Sequence, residues 1–359
     1  MKLLFDIGHP AHVHLFRNLI KKVLRNGGSV LAATREKDVT TDLCQFYDIP
    51  QSIISKVYSG NPLSGFNEFL TRTIRLYLLA RTFRPDALLG TSTSIGIVGH
   101  LINRPSFIFE EDDAEVIPPI ANYVYPTCTY VVTPDCLRHE NYGEKHLTYK
   151  GYHELAYLHP DHFKPDPDIA RSIGLDPHSL YFILRFVALK AHHDTGAIGL
   201  SEKHIKDLIK ILSPRGRILI TSEGQLHDDF KKYQFPLEPE KLLDVLAFAS
   251  LYIGDSQTVA AEAAVLGIPN FRCNSFVGRL SYLEELETLY GLTKGYKPEK
   301  SDILLTRLKS WILNIEKTKQ DMQNKRRLML DSCVNVSDWQ YNMLLNKLKV
   351  PPHDSNHAR

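Results

Sequence analysis

Short, uninterrupted apolar runs alternate with amphipathic segments along most of this chain, and this alternation limits the possible folds more than any other feature. Apolar strands without polar alternation are typical of parallel sheets that helices cover on both faces. A strand at residues 3–7 precedes a helix at 15–25, which Gly27 and Gly28 end because glycine adopts the left-handed conformation. The pattern predicts a doubly wound α/β fold. Further first-half strands are expected at residues 29–34, 86–90, 106–109 and 130–132.

The same pattern restarts after a proline-dense connector that contains Pro160, Pro165 and Pro167. Such a stretch is typical of a domain boundary, and a chain of 359 residues suits two domains better than one core. Two Rossmann-like domains that face a central cleft are therefore predicted, with a single large sheet as the alternative. The predicted division is a domain at 1–150, a linker at 151–167, a domain at 168–300, and helices at 301–350 that pack back on the N-terminal domain.

Composition excludes several classes of protein. The net charge of +2 provides no broad cationic field for nucleic acid. The five cysteines are scattered and form no Cys-x-x-Cys pair, which indicates reduced thiols in the cytoplasm. Asp6 and Gly8 interrupt the N-terminal apolar run, as expected of a strand rather than a signal peptide. No apolar stretch reaches the roughly 20 residues of a membrane-spanning helix. We expect a soluble cytoplasmic protein.

The segment at residues 251–264 is the sharpest indication of a ligand site. An apolar strand runs directly into a helix whose N-cap is predicted to be Ser256. The first amides of such a helix, together with its dipole, favour a bound anion such as a diphosphate. Glu262 lies one turn beyond Thr258 on the same face, where its carboxylate could accept hydrogen bonds from ribose hydroxyls. Asp255 and Gln257 complete the predicted site. The alternative is an ordinary capped helix with an exposed glutamate.

The turn after the first strand, Gly8-His9-Pro10-Ala11-His12, predicts a second part of the site. Open α/β sheets bind ligands at the carboxyl ends of their strands. His12 could serve as a general base because its ordinary pKa lies near neutrality. No acidic or cysteine ligand accompanies these histidines at a recognised spacing, so no metal is expected. The alternative is that the histidines cap and pack the turn.

Three further features are predicted to lie at the carboxyl ends of the strands. Glu110, Glu111 and Asp112 follow a strand and could supply a base, orient sugar hydroxyls, hold a divalent ion, or form only a solvated loop. Thr91 opens a helix after another strand. Arg185 ends the first strand of the second half, where it could neutralise a phosphate.

Residues 66–84 predict an amphipathic helix with arginines around an apolar stripe. A stripe that faces the core is the favoured interpretation. Peripheral contact with the inner face of the cell membrane is the alternative. The stripe comprises Phe66, Phe69, Leu70, Ile74 and Tyr77, and the arginines are Arg72, Arg75, Arg81 and Arg84.

Two motifs resemble those of known enzymes. The run Ala11-His12-Val13-His14-Leu15-Phe16, leading to Gly27-Gly28, resembles the start of GT-B glycosyltransferases. The segment from Asp255 to Glu262, followed by Leu266-Gly267-Ile268-Pro269, is similar to the donor-binding segment of non-hydrolysing UDP-N-acetylglucosamine 2-epimerases and of the peptidoglycan N-acetylglucosaminyltransferase. As a whole the chain resembles the domain of unknown function 354 family, which is grouped with those enzymes.

The resemblance implies a GT-B fold and roles for individual residues. Ser256 would bind the diphosphate, Glu262 the ribose, and His12 the acceptor or its proton. Thr91 stands where the epimerases have a catalytic aspartate, and Glu110 could stand for the first of their glutamates, which puts epimerisation in doubt. The implied function is a metal-independent glycosyltransferase with a UDP-sugar donor and a sugar or lipid-linked acceptor, acting in cell-surface polysaccharide or glycolipid synthesis. An epimerase-like isomerase and a non-catalytic nucleotide-sugar-binding protein are the alternatives.

Overall fold

The computed structural model describes residues 1–36, 39–56, 62–186, 199–222 and 226–350, and for residues 62–66 the backbone alone. The chain divides into two compact units. The first comprises the described residues of Met1–His162 and Val334–Arg359, and the second comprises those of Phe163–Cys333.

Each unit contains one parallel sheet. In the first unit seven strands have the order β3-β2-β1-β4-β5-β6-β7, and in the second, five strands have the order β12-β11-β10-β8-β9. The central strands are buried along their length, which explains their uninterrupted apolar sequences. The strands are β1 (Lys2–Ile7), β2 (Ser29–Glu36), β3 (Gln51–Lys56), β4 (Ala87–Gly90), β5 (Ser106–Phe109), β6 (Tyr130–Pro134), β7 (His146–Tyr149), β8 (Tyr181–Phe186), β9 (Arg217–Ser222), β10 (Leu251–Gly254), β11 (Asn270–Cys273) and β12 (Lys294–Tyr296).

Helices connect successive strands and cover the sheets. In the first unit Phe16 of the first helix packs on Phe5 and Phe109 of the sheet, with ring centroids 5.2 Å apart in both pairs. The helices are α1 (Pro10–Arg25), α2 (Thr40–Phe46), α3 (Pro62–Phe83), α4 (Ser94–Leu101), α5 (Leu155–Leu158), α6 (Pro167–Ser172), α7 (Glu202–Leu212), α8 (Asp228–Lys231), α9 (Leu242–Phe248), α10 (Gln257–Val265), α11 (Ser281–Thr288), α12 (Ser301–Leu313), α13 (Ile315–Ser332) and α14 (Val336–Leu348).

Strand order reverses once in each sheet. In the first unit β1 lies between β2 and β4, and in the second β8 lies between β9 and β10. At such a reversal the two following loops leave in opposite directions and open a crevice at the carboxyl ends of the strands, which is where open α/β sheets bind ligands. The loops after β1, β4, β8 and β10 are therefore the places where a ligand is expected to bind.

The C-terminal helices do not all belong to the N-terminal domain, as the sequence analysis expected for residues 301–350. Leu304, Leu308 and Ile312 of α12 are part of the core of the second unit, and α13 belongs to that unit as well. Only α14 belongs to the first unit, where the Lys22 ammonium group lies 2.6 Å from the Asp338 carboxylate. An apolar stripe on α12 that matches α7 explains the difference, because burial decides which unit a helix joins.

The predicted linker at residues 151–167 is also wrong in its first half. Residues 151–158 are buried in the first unit, and they include the short helix α5, which packs on α1. The division between the units falls after His162. The apolar side chains of Leu155 and Leu158 make this segment part of a core rather than a connector.

The predicted arginine-rich helix forms as α3, but the orientation expected for it is wrong. Arg72 is only 7% exposed, whereas Leu70 and Ile74 are 47% and 51% exposed. The buried Asp6 carboxylate accepts a hydrogen bond from Arg72, and Leu76 and Ala80 are buried on the same side of the helix. The side chain of Phe66 lies outside the described residues. Within the part of the chain that the structure describes, no helix is both long and apolar enough to cross a lipid bilayer.

Candidate functional site

The loops after β1 and β4 bring His12 and Thr91 into contact. The Thr91 hydroxyl oxygen lies 2.7 Å from Nδ1 and 3.0 Å from Nε2 of the His12 ring. His9 caps α1 by accepting a hydrogen bond from the Ala11 amide at 3.2 Å, which fixes where the helix begins. Gly8 lies beside this turn, and a Cβ atom there would meet no atom within 4 Å. The turn therefore has open space next to an imidazole ring.

The environment of His12 keeps its ring neutral. Burial, followed by repulsion from His9, His153 and Arg72, lowers the pKa of His12 to about 3. At physiological pH the ring therefore carries no charge and retains a nitrogen lone pair that can accept a proton. A pKa this far below neutrality makes the ring a weak base, so general-base catalysis by His12 requires a bound ligand that raises this pKa.

The acidic residues after β5 are held in different protonation states. Burial, reinforced by the charge of Asp112, raises the pKa of Glu110 to about 8, so that this carboxyl group is mostly protonated at pH 7. Burial and the neighbouring Asp113 raise the pKa of Asp112 to about 6, which leaves it mostly ionised. Two neighbouring carboxyl groups with separated pKa values can act as an acid and a base. The cluster is therefore more than a solvated loop.

Glu111 forms a pair with His153, a residue that the sequence analysis did not select. The Oε2 atom of Glu111 lies 3.3 Å from Nδ1 of His153, which is 9% exposed. Burial lowers the pKa of His153 to about 3, and burial together with the charges of Glu154, Asp112 and Glu110 raises the pKa of Glu111. Nε2 of His153 has no hydrogen-bond partner among the described residues. A buried imidazole nitrogen without a partner indicates a place for a ligand or water.

A buried ion pair supports this edge of the sheet. The Asp6 carboxylate accepts hydrogen bonds from the Arg72 guanidinium group and from the Ser92 hydroxyl. Arg72 also donates to the Ser55 hydroxyl at 2.6 Å. A Cβ atom on Gly90 would lie 2.6 Å from the Asp6 carbonyl oxygen, so only glycine permits this close approach of β4 to β1. The pair thus fixes the residues that precede His12 and Thr91.

No group of three side chains with metal-ligand geometry among the described residues contains Glu110, Glu111 or Asp112. A group of three side chains with this geometry is formed nearby by Asp113, His139 and Glu140. Glu140 already accepts hydrogen bonds from the Ala114 amide and the Tyr142 hydroxyl, at 2.6 and 2.5 Å.

The second unit contains a separate cluster at the carboxyl ends of β8 and β10. Ser256 caps α10, and its hydroxyl accepts a hydrogen bond from the Val259 amide at 3.4 Å. Asp255, Ser256, Gln257 and Thr258 are all partly exposed, so the first amides of the helix can be reached by a ligand. The predicted N-cap is therefore present and accessible, as the nucleotide hypothesis requires.

Arg185 lies beside this helix start. Its carbonyl oxygen accepts a hydrogen bond from the Asp255 amide at 3.2 Å, and its guanidinium group lies 3.5 Å from the Thr221 hydroxyl. A Cβ atom on Gly254 would meet the same Arg185 carbonyl oxygen at 2.5 Å, so glycine is needed here. The backbone of Arg185 thus lies beside the start of α10, and a phosphate-binding role for its side chain stays a prediction.

Glu262 is 4% exposed, which contradicts the alternative of an ordinary capped helix with an exposed glutamate. The Tyr252 hydroxyl donates to the Ser256 carbonyl oxygen at 3.3 Å. Burial raises the pKa of Tyr252, the charge of Arg185 acts in the opposite direction, and Asp255 and Glu262 raise it further. The charges of Arg185, Asp255 and Glu262 therefore all act on the buried Tyr252 hydroxyl, which lies next to the start of α10.

Asn274 was missed by sequence reasoning as well. It follows β11, is buried, and donates from Nδ2 to the Asp255 carbonyl oxygen at 2.9 Å. Its position after a strand that neighbours β10 was the available signal, since polar residues directly after parallel strands share one edge of the sheet.

The fold places this chain in the GT-B class, which comprises proteins with two Rossmann-like α/β units. A UDP-N-acetylglucosamine 2-epimerase of Neisseria meningitidis, solved with bound UDP-N-acetylglucosamine, matches with a TM-score of 0.62 and 13% identity over 92% of this chain and 99% of its own. A spinosyn forosaminyltransferase matches with a TM-score of 0.64 and 14% identity over 97% and 99%. Likeness at these identities establishes the fold alone.

The chain belongs to the family described as "Protein of unknown function (DUF354)", whose model matches residues 1–337. A relative in Methanocaldococcus jannaschii, described as an uncharacterised protein, is 23% identical over 299 residues, which are 79% of this chain and 85% of the relative. The family and the fold predicted from the sequence are therefore confirmed.

Proposed function

We propose that this protein is a glycosyltransferase that uses a UDP-sugar donor, acting at the cytoplasmic side of the membrane in cell-surface polysaccharide or glycolipid synthesis. The accessible, serine-capped start of α10, with Glu262 buried one turn later, carries the proposal. Solved proteins of the same fold include a UDP-N-acetylglucosamine 2-epimerase with bound UDP-N-acetylglucosamine, which supports the substrate class. The acceptor would be a sugar or a lipid-linked sugar.

The donor half of the reaction is assigned to the second unit. The amides of Ser256, Gln257 and Thr258 would hold the diphosphate, and Arg185 would offset part of its charge. The leaving diphosphate gains negative charge in the transition state, where helix amides and a cation stabilise it most. Glu262 would accept hydrogen bonds from the ribose hydroxyls. No metal is required in this scheme.

The acceptor half is assigned to the first unit. The ring of His12, in contact with Thr91, would remove the proton of the attacking hydroxyl once a bound ligand, such as the anionic diphosphate, raises its pKa from about 3. Asp112 is the second candidate because it is mostly ionised at pH 7, whereas Glu110 is mostly protonated and would donate a proton instead. Glu111, whose Oε2 atom lies 3.3 Å from Nδ1 of His153, would orient sugar hydroxyls.

An epimerase-like isomerase is the second candidate, and the protonated Glu110 together with the Glu111–His153 pair favours it. Elimination and re-addition need one group that removes a proton and another that returns it. Thr91 at the position of the epimerases' aspartate argues against this reaction, because a hydroxyl group is a far weaker base than a carboxylate.

A nucleotide and nucleotide-sugar panel, read by the rise in melting temperature, tests the binding step. UDP or a UDP-sugar should stabilise the wild-type chain, and Glu262→Gln should reduce the apparent affinity roughly tenfold, the effect of one lost charged hydrogen bond. The exposed Glu316→Gln variant is the matched control. If Glu262→Gln binds UDP as the wild type does, the ribose assignment is wrong.

Incubation with UDP-N-acetylglucosamine in deuterated water separates the candidate reactions. Deuterium at carbon two of the sugar, without any acceptor, would support the isomerase and overturn the transferase. Release of UDP only when an acceptor is present would support the transferase. Stabilisation by UDP without either reaction would support the non-catalytic binding protein.

A further inference from the structure

One face of α3 exposes aliphatic side chains in a row. Leu70, Ile74 and Leu78 are 47%, 51% and 58% exposed, and they lie four residues apart. Residues at that spacing occupy one side of a helix, where they form a continuous stripe. We call these three residues the α3 stripe. Apolar residues scattered singly over a surface are ordinary, but an aligned row indicates a surface that meets another apolar phase.

The cations of α3 accompany this stripe. Arg75 and Arg81 are exposed on the same helix, and Arg84 is exposed directly after its last residue. The only acidic residue in the helix sequence is Glu68, which pairs with Arg35 at 2.5 Å. The accessible face therefore combines aliphatic and cationic groups without a free acidic group on the helix itself.

This combination selects one kind of partner. An interfacial helix inserts its aliphatic side chains among lipid acyl chains while its arginines bind anionic headgroups. A second copy of the same face would bring like charges together, which disfavours self-association. A nucleic acid would satisfy the arginines but leave the aliphatic side chains in water.

The stripe is adjacent to the candidate acceptor residues. On the inward side of the same helix, Arg72 donates to Asp6, and the Thr73 hydroxyl lies 2.9 Å from that of Ser94 at the start of α4. Asp6 in turn accepts a hydrogen bond from Ser92, the neighbour of Thr91. A lipid surface in contact with the α3 stripe would thus lie about one helix diameter from the residues around Asp6 and Thr91.

We propose that the α3 stripe and its arginines form a docking site for an anionic lipid bilayer. The inference extends the proposed function, because a lipid-linked acceptor would be presented at such a surface. Its test requires neither nucleotide nor turnover. Failure of docking would leave the donor assignment intact, and failure of the donor assignment would leave docking intact.

Co-sedimentation of the full chain with vesicles tests the proposal. Vesicles with about one-third phosphatidylglycerol in phosphatidylcholine should bind the protein, pure phosphatidylcholine vesicles should bind it much less, and high salt should release it. Ile74→Glu with Leu78→Glu should lower the bound fraction roughly tenfold, and Arg81→Gln with Arg84→Gln should remove most of the salt dependence.

The matched control is Leu313→Glu with Leu328→Glu, which changes two leucines of the second unit that are at least as exposed as Ile74 and Leu78. Circular dichroism and melting temperature establish that all variants fold. The proposal is overturned if the wild type does not bind anionic vesicles, or if the Ile74 and Leu78 variant binds as well as the control. A wild-type dimer that this variant converts to a monomer, without vesicle binding, would assign the stripe to self-association instead.

Discussion

Replacing Arg72 by leucine should destabilise the first unit by about 3–5 kcal/mol. The magnitude follows from burial: Arg72 and Asp6 are 7% and 1% exposed, so the Asp6 carboxylate would remain buried with the Ser92 hydroxyl in place of a cation. An exposed ion pair would contribute only about 0.2–1 kcal/mol. The two ranges do not overlap, so the measurement distinguishes a supporting pair from a surface contact.

Urea unfolding monitored by Trp339 provides the assay. Trp339 is in α14 of the first unit, where it packs on Tyr149 with ring centroids 5.1 Å apart. A Trp311→Phe background removes the tryptophan of the second unit. The Arg81→Leu variant, on the exposed side of the same helix, should lie within about 0.5 kcal/mol of the background.

A double-mutant cycle completes this test. Asp6→Asn with Arg72→Leu removes both charges and should recover about 1–3 kcal/mol relative to the sum of the single variants. A loss below about 1 kcal/mol for Arg72→Leu, or strictly additive losses, would refute the argument that an unpaired buried carboxylate determines the effect.

Three other predictions concern the strand ends and the site. Gly254→Ala should destabilise the second unit by about 1–3 kcal/mol, because the Cβ atom would lie 2.4 Å from the Tyr252 hydroxyl oxygen; Gly8→Ala, with open space around it, should unfold at the wild-type urea midpoint. Ser256→Ala should cost about 1 kcal/mol through the lost cap and should weaken UDP binding in the thermal-shift assay. Glu110 keeps its proton up to a pKa of about 8 when folded but only to its ordinary value when unfolded, so its contribution to stability is present at acidic pH and is lost as the pH rises toward 8; Glu110→Gln should flatten that part of the stability–pH curve, and an unchanged curve would contradict the assignment.

The central elements were predictable because burial leaves a strong sequence signal. The predicted bounds of β5, at residues 106–109, agree with the structure, and a strand followed by a helix forms within the predicted segment 251–264. β5 and β10 are apolar runs buried along their length, and Ser201 caps α7 through the His204 amide. The edge strands β3, β7 and β12 were not predicted, because they are polar and only partly buried.

The orientation of α3 shows where periodicity fails. Its hydrophobic pattern favoured burying Leu70 and Ile74, yet the buried side of the helix carries Leu76 and Ala80 together with Arg72, which pairs with Asp6, 66 positions away in the sequence. The pairing of Arg72 with Asp6 cannot be predicted from the sequence of the helix, since Asp6 lies on strand β1. The same limit applies to His153, which follows the weakly patterned strand β7 and whose pairing with Glu111 depends on the order of strands in the sheet.

The two units use the same local device to build different sites. In each unit, one of the two strands at which the strand order reverses ends with a glycine. Gly90 of β4 pairs with Asp6 of β1, and Gly254 of β10 pairs with Arg185 of β8. A Cβ atom at either position would meet the partner's carbonyl oxygen at 2.6 or 2.5 Å, so the backbones approach as closely as they can before the next helix begins. What differs is the side chain of the pairing partner.

That difference determines the chemistry expected at each edge. In the first unit the partner is an acid, Asp6, whose charge is satisfied internally by Arg72, and the same unit contains a neutral His12 and a protonated Glu110. Groups of this kind exchange protons. In the second unit the partner is Arg185, whose carbonyl oxygen accepts a hydrogen bond from the Asp255 amide just before α10, and the amides that begin this helix favour an anion. The edge of the second unit is thus the one at which the proposed leaving diphosphate would be stabilised.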